Sequence, residues 1–160
     1  MKIVDIKDLE YELRMLLGAD KMVLLFEEKG VGNQVNFFKD SVYLHARCLY
    51  SFFYKNRGKL TNGLGFKMNE YESKWMEPLN NFVMHINASG IRSGGGNVQN
   101  NTHLNQKTHW FAKDIVRLWS EWIDSTTDQT FKEILKKSLK TAQNDAENDY
   151  DGLLSKLEKA

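Results

Sequence analysis

The chain has little of several things, and each shortage narrows what it can be. It carries one cysteine, Cys48, in 160 residues, so no disulfide can form within it. A lone thiol without paired metal-ligand spacing argues against a zinc site and fits a reducing cytoplasm. It has one proline, Pro78, whereas turn-rich β architectures use proline and glycine freely, so helices are favoured. No apolar run is long enough to span a bilayer; MVLLF at 22–26 is the most conspicuous and is far too short. The opening MKIVDIKDLEYEL is charged throughout and has no signal-peptide core. A protein that does not enter membranes and resides in the cytoplasm is expected. Net charge is +1, which argues neither for nor against a polyanionic partner. Residues 35–92, however, hold 8 Lys/Arg against 4 Asp/Glu, a mildly basic centre compatible with RNA or a nucleotide.

What is present is helical periodicity. Ile6, Leu9, Leu13, Leu16 and Leu17 repeat at helical spacing, with Gly18 as the expected stop. A short second helix is expected over 20–29, closed by Gly30 and Gly32. Residues 35–56 give the strongest pattern, with Val35, Phe38, Val42, Leu49, Phe52 and Phe53 on one stripe. His45 falls inside that stripe and Arg47 outside it. A glycine-rich loop follows from residue 57, then a helix from about 70 that kinks or restarts at Pro78. Beyond Pro78, Leu79, Phe82, Val83 and Ile86 face inward. Residues 93–106, rich in glycine and asparagine, read as a loop. A helix over 107–124 presents Phe111, Ile115, Leu118, Trp119 and Trp122. Thr127 and Asp128 supply a cap for the next helix, with Phe131, Ile134, Leu135 and Leu139 inward. The last helix is expected over about 142–158. The expectation is all-α: one domain over residues 1–160, a bundle of six to seven helices.

The polar candidates lie on the best of these helices. Asn81 and His85 are four apart and share one flank of a helix, and Arg92, seven further on, joins that flank if the helix persists past Gly90. Histidine is a general acid or base near neutral pH, arginine holds phosphate, and asparagine orients either. Against this stands a plain structural role, since a histidine at a core margin needs a hydrogen-bond partner whatever its function. His45 and His85 on two core helices would share a role if they met at a cleft. The acidic group Asp145, Glu147, Asp149 and Asp151 is read as a solvated helix face rather than a metal site. No phosphate-binding glycine loop or nucleophile motif is present, and no cofactor is implied.

The segments HARCLYSFFY (45–54) and LNNFVMHINASGIR (79–92), followed by Trp110, resemble a family of uncharacterised prokaryotic proteins similar to the HEPN group. His45, Ala46, Arg47, Leu49, Phe52, Phe53 and Tyr54 fit its first block. Leu79, Asn80, Val83, His85, Ile86 and Arg92 fit its second. The resemblance implies a helical bundle, often a homodimer, with RNA or nucleotide phosphate bound where helices meet. His85 and Arg92 would then be the catalytic candidates, and His45, Arg47, Asn80 and Asn81 the binding ones. The family's nuclease motif places an arginine four to six residues before a histidine, where this chain has Leu79, Asn80 and Asn81. Ribonuclease chemistry would need that cation from Arg47 or Arg92. The competing expectation is a non-catalytic interaction or dimerisation module, with Trp110, Trp119 and Trp122 in excess of one helix face. A metal-dependent pyrophosphohydrolase would need paired ExxE and ExxD motifs, and only Glu121 and Asp124 satisfy one of them.

Overall fold

A computed structural model describes residues 6–30, 34–60, 79 and 108–159. Within them lie four α-helices: α1 (Ile6–Glu28), α2 (Gln34–Leu60), α3 (Thr108–Ser125) and α4 (Gln129–Leu157). No strand occurs among the described residues, so the all-α expectation holds there.

Two expected breaks are absent, which is why four long helices stand where more were expected. Gly18 does not stop α1, which continues to Glu28. A glycine inside a helix costs only about 1 kcal/mol relative to alanine. Leu13, Leu16, Ala19, Met22 and Val23 on either side of it are buried along one face and outweigh that cost. The true stop is Gly30, at φ +64, where the Gly30 amide donates to the Glu27 carbonyl at 3.2 Å. Likewise α4 runs unbroken for 29 residues. Its buried positions Leu135, Ser138, Ala142 and Ala146 recur every three or four residues straight through the stretch expected to separate two helices. The expected cap is present: the Asp128 carboxylate accepts from the Phe131 amide at 2.9 Å. The helix of residues 35–56 also extends further than expected, past Gly58 to Leu60. The helices expected over 70–92 and the loop over 93–106 lie outside the described residues, Leu79 excepted.

Contacts fix the arrangement as a ring. α1 packs on α2 and α4, α2 on α3, and α3 on α4, with α1 also touching α3 across the centre. Glu12 meets His45 whereas Glu27 meets Lys39, so α1 and α2 are antiparallel. Tyr43 meets Phe111 whereas Phe53 meets Trp119 and Trp122, so α2 and α3 are parallel. α3 and α4 form an antiparallel hairpin across residues 126–128, in which Trp122 meets Phe131 edge-on and the Trp119 indole donates to the Leu135 carbonyl at 3.2 Å. The side chains of Ser125 and Thr126 donate to the Trp122 carbonyl at 3.0 and 2.7 Å, satisfying an acceptor at the end of α3.

The core runs through all four helices and includes fully buried Leu79, the inward residue expected beyond Pro78. Trp119 and Trp122 are buried within it, and Trp110 packs against its edge. Trp119 and Trp122 therefore do not form the exposed aromatic surface expected of an interaction module. Phe37, 76% exposed, and Tyr11, 55% exposed, are the outward aromatics instead.

Candidate functional site

His45 and Arg47 are the two sequence candidates whose surroundings are described. His45 sits at the core margin, 8% exposed. Its Nδ1 lies 2.8 Å from Glu12 Oε2 on α1, and its ring meets Tyr11 edge-on at 6.4 Å. Arg47 is half-buried. It bears on Cys48, whose thiol is pushed up first by burial and then by Glu12, with Arg47 opposing. Cys48 is thus held as a neutral thiol, the wrong state for a nucleophile. His85, Arg92, Asn80 and Asn81 lie outside the described residues, as does any approach of His85 to His45.

A second histidine has a carboxylate partner that sequence reasoning missed. His109 Nδ1 lies 2.6 Å from Asp20 Oδ2. Asp20 is 5% exposed, and its Oδ1 has no hydrogen-bond partner. Burial pushes the Asp20 carboxyl up, with the His109 hydrogen bond opposing and Lys113 and Lys21 nearby. The pair pins the first turn of α3 to the middle of α1. A third polar group ties α2 to α3: the Tyr50 hydroxyl donates to Asp114 Oδ2 at 2.7 Å, while Arg117 donates to Asp114 Oδ1 and pairs with Glu121. Glu121 is thereby engaged by an arginine. Among the described residues no group of three or more His, Cys, Asp or Glu side chains is placed to hold a metal.

The acidic group on α4 has a use beyond solvation. Arg14 of α1 donates to both Asp149 oxygens at 2.7 and 2.8 Å and approaches Asp145 at 3.5 Å. Lys21, one pair of turns along α1, pairs with Glu147. The hydrogen bond from Arg14 holds the Asp149 carboxyl below its ordinary value and raises the Arg14 guanidinium. α1 and α4 are therefore laced by ion pairs at their surface.

Beside that lacing opens a feature that the sequence did not announce, a cavity of about 590 Å³ between α1, the start of α2 and the end of α4. Met15, Ala19 and Met22 of α1 line its base, Phe37 and Phe38 of α2 one wall, and Leu153 of α4 the other. Gly18 and Gly152 lie on the lining, and a Cβ added at either would meet nothing within 4 Å. The cavity exists because α1 carries a glycine and an alanine there and α4 a glycine, where bulkier side chains would fill the space. The available signal in the sequence was a glycine inside each of two amphipathic helices, which marks either a close approach or an unfilled space. Such a volume, mostly apolar with a few polar groups, is the size of a small-molecule site.

No protein-family model matches the chain, and no curated protein or solved structure matches it either. No described helix is long and apolar enough to cross a membrane.

Proposed function

We propose that this protein is a non-catalytic helical binding module whose site is the cavity between α1, α2 and α4. The observation that carries the reading is the unfilled space of about 590 Å³ above Gly18 and Gly152, walled by Phe37 and Leu153. Phe37 and Leu153 are exposed, and an apolar occupant would remove both from water, a gain of about 25 cal/mol per Å² of apolar surface covered. The described groups otherwise suited to chemistry are committed to structure: His45 to Glu12, His109 to Asp20, and Asp114 to Tyr50 and Arg117. N-phenyl-1-naphthylamine, a neutral dye that brightens in apolar surroundings, tests the site. Saturable brightening is expected, weakened by at least about tenfold, or ~1.4 kcal/mol, in Gly18→Leu. Absence of saturable binding, or equal binding by the variant, removes the reading.

One observation favours a second reading, the HEPN-like one, in which RNA or nucleotide phosphate is held between helices. A carboxylate on Nδ1, as Glu12 is on His45, fixes the orientation of the imidazole and leaves Nε2 as the nitrogen that would meet a phosphate. In that reading His85 and Arg92 act on the phosphate, and His45, Arg47, Asn80 and Asn81 bind it. Cleavage of labelled RNA that disappears in His85→Ala would support it, and equal background in both proteins removes it. Light scattering on the same sample reads whether the unit is the homodimer that the resemblance implies.

A further inference from the structure

The charges around the cavity restrict what it would hold. Asp145, Glu147 and Asp149 on α4 are each paired with a cation of α1, through Arg14 or Lys21. Both oxygens of Asp149, the carboxylate on the lining, already accept from Arg14. Lys156, one turn beyond Leu153 on the same side of α4, is on the lining and has no ion pair among the described residues. Ser41 of α2 and Asn148 of α4 add to the polar lining side chains that hold no hydrogen bond to a described residue, and Tyr150 of α4 adds a ring over which the Lys21 ammonium lies. Among the polar groups left unspent the one that carries charge is the Lys156 ammonium, a donor only, whereas the amide and the hydroxyl both donate and accept. The one carboxylate on the lining among the described residues, Asp149, is spent on Arg14.

We infer that the cavity takes a single free amphiphile with an aliphatic body and an anionic, carboxylate-class head, the head held at Lys156 and the body over Gly18 and Gly152. The inference rests on the cavity being the binding site, and adds the chemistry of its ligand. Lys156 also sits in the last turn of α4, where a cation suits the helix end without any ligand. The structural role predicts no discrimination among ligand heads, which separates the two.

The experiment displaces N-phenyl-1-naphthylamine from the intact protein at low ionic strength with decanoate, decanol or decyltrimethylammonium, all of one chain length. Decanoate is expected to displace the dye at concentrations about two- to fivefold below decyltrimethylammonium, the range of an exposed ion pair. Decanol should fall between them. Lys156→Gln should bring the three displacement concentrations together. Gly152→Leu, once circular dichroism has confirmed a helical spectrum, should abolish dye and decanoate binding together. If the dye binds but the three heads displace it equally, or if the preference survives in Lys156→Gln, the anionic ligand is wrong and the binding site stands. If the dye does not bind, or binds Gly152→Leu as well as the parent, both the site and its ligand are overturned.

Discussion

The two sides of the bundle are built from different materials. Where α2 meets α3, the contact is aromatic: Tyr43 and Tyr50 pack edge-on against Phe111, and Phe53 against Trp119 and Trp122. These side chains are essentially without exposure. Where α1 meets α4, the buried residues of α4 include Ser138, Ala142 and Ala146, and the surface is closed by Arg14 and Lys21 reaching to three carboxylates. Large rings fill volume and fix the distance between helices, each adding edge-to-face contact beyond its buried area. Small residues leave the spacing to backbone geometry, and wherever two of them coincide beyond the core, space remains. The cavity lies on the small-residue side for that reason. One seam is closely filled and the other leaves open volume.

The comparison breaks most visibly at Trp119. Trp119→Ala is expected to cost about 3–5 kcal/mol, the range for emptying a buried aromatic site, read as a lower urea midpoint with an unchanged slope. The next effect belongs to the pair that joins α1 to α3. His109→Ala leaves both Asp20 oxygens without a partner in a buried place and is expected to cost about 1–3 kcal/mol near neutral pH. Adding Asp20→Asn should recover much of that loss. The Asp20 carboxyl is raised in the fold. Its contribution is therefore fully present below the unfolded carboxylate value of about 4 and is lost as pH rises through the raised value. Asp20→Asn alone should accordingly gain on the parent over that rise and then level off. A pH series of denaturation midpoints in which the two proteins keep a constant difference would contradict this placement of Asp20. The smallest effect is at the lacing. Arg14→Gln should cost no more than about 1 kcal/mol, because exposed ion pairs are screened, and the loss should shrink further in high salt.

The helix faces were legible because periodicity records which side is buried. Val42, Leu49 and Phe53 on α2, and Ile115, Leu118 and Trp119 on α3, are buried as their spacing indicated. The cap at Asp128 was legible because a short acceptor before an apolar run has few other uses. Gly18 misled because a glycine's local preference was weighed without the packing that overrides it. The break expected before residue 142 was misread because alanine and serine at positions 138, 142 and 146 carry little hydrophobic signal, although they are the contact face. His45 was recognised as a stripe residue with two readings, and Glu12 33 positions away supplies the partner that the plain one required. Neither that pairing nor Asp20 with His109 could be read from spacing, since each joins two helices. The cavity was the least legible feature, for it is made of what three separated segments lack.

The link between Arg14 and Asp149 spans 135 positions of chain. Contacts of that reach require the ends of a long loop to be brought together before any energy is returned, and they slow folding relative to local ones. The α3–α4 hairpin, joined by residues 126–128, needs no such closure. On a chain made from its first residue onward, α1 must wait for the far end of α4 to be synthesised before its own seam can close. Until then Leu9, Leu13 and Leu16 keep α2 as a neighbour but lack the fourth wall of the bundle. The α1–α4 seam is accordingly the step at which a nascent chain is most open to wrong association, and the cavity is among the last parts of the molecule to take shape.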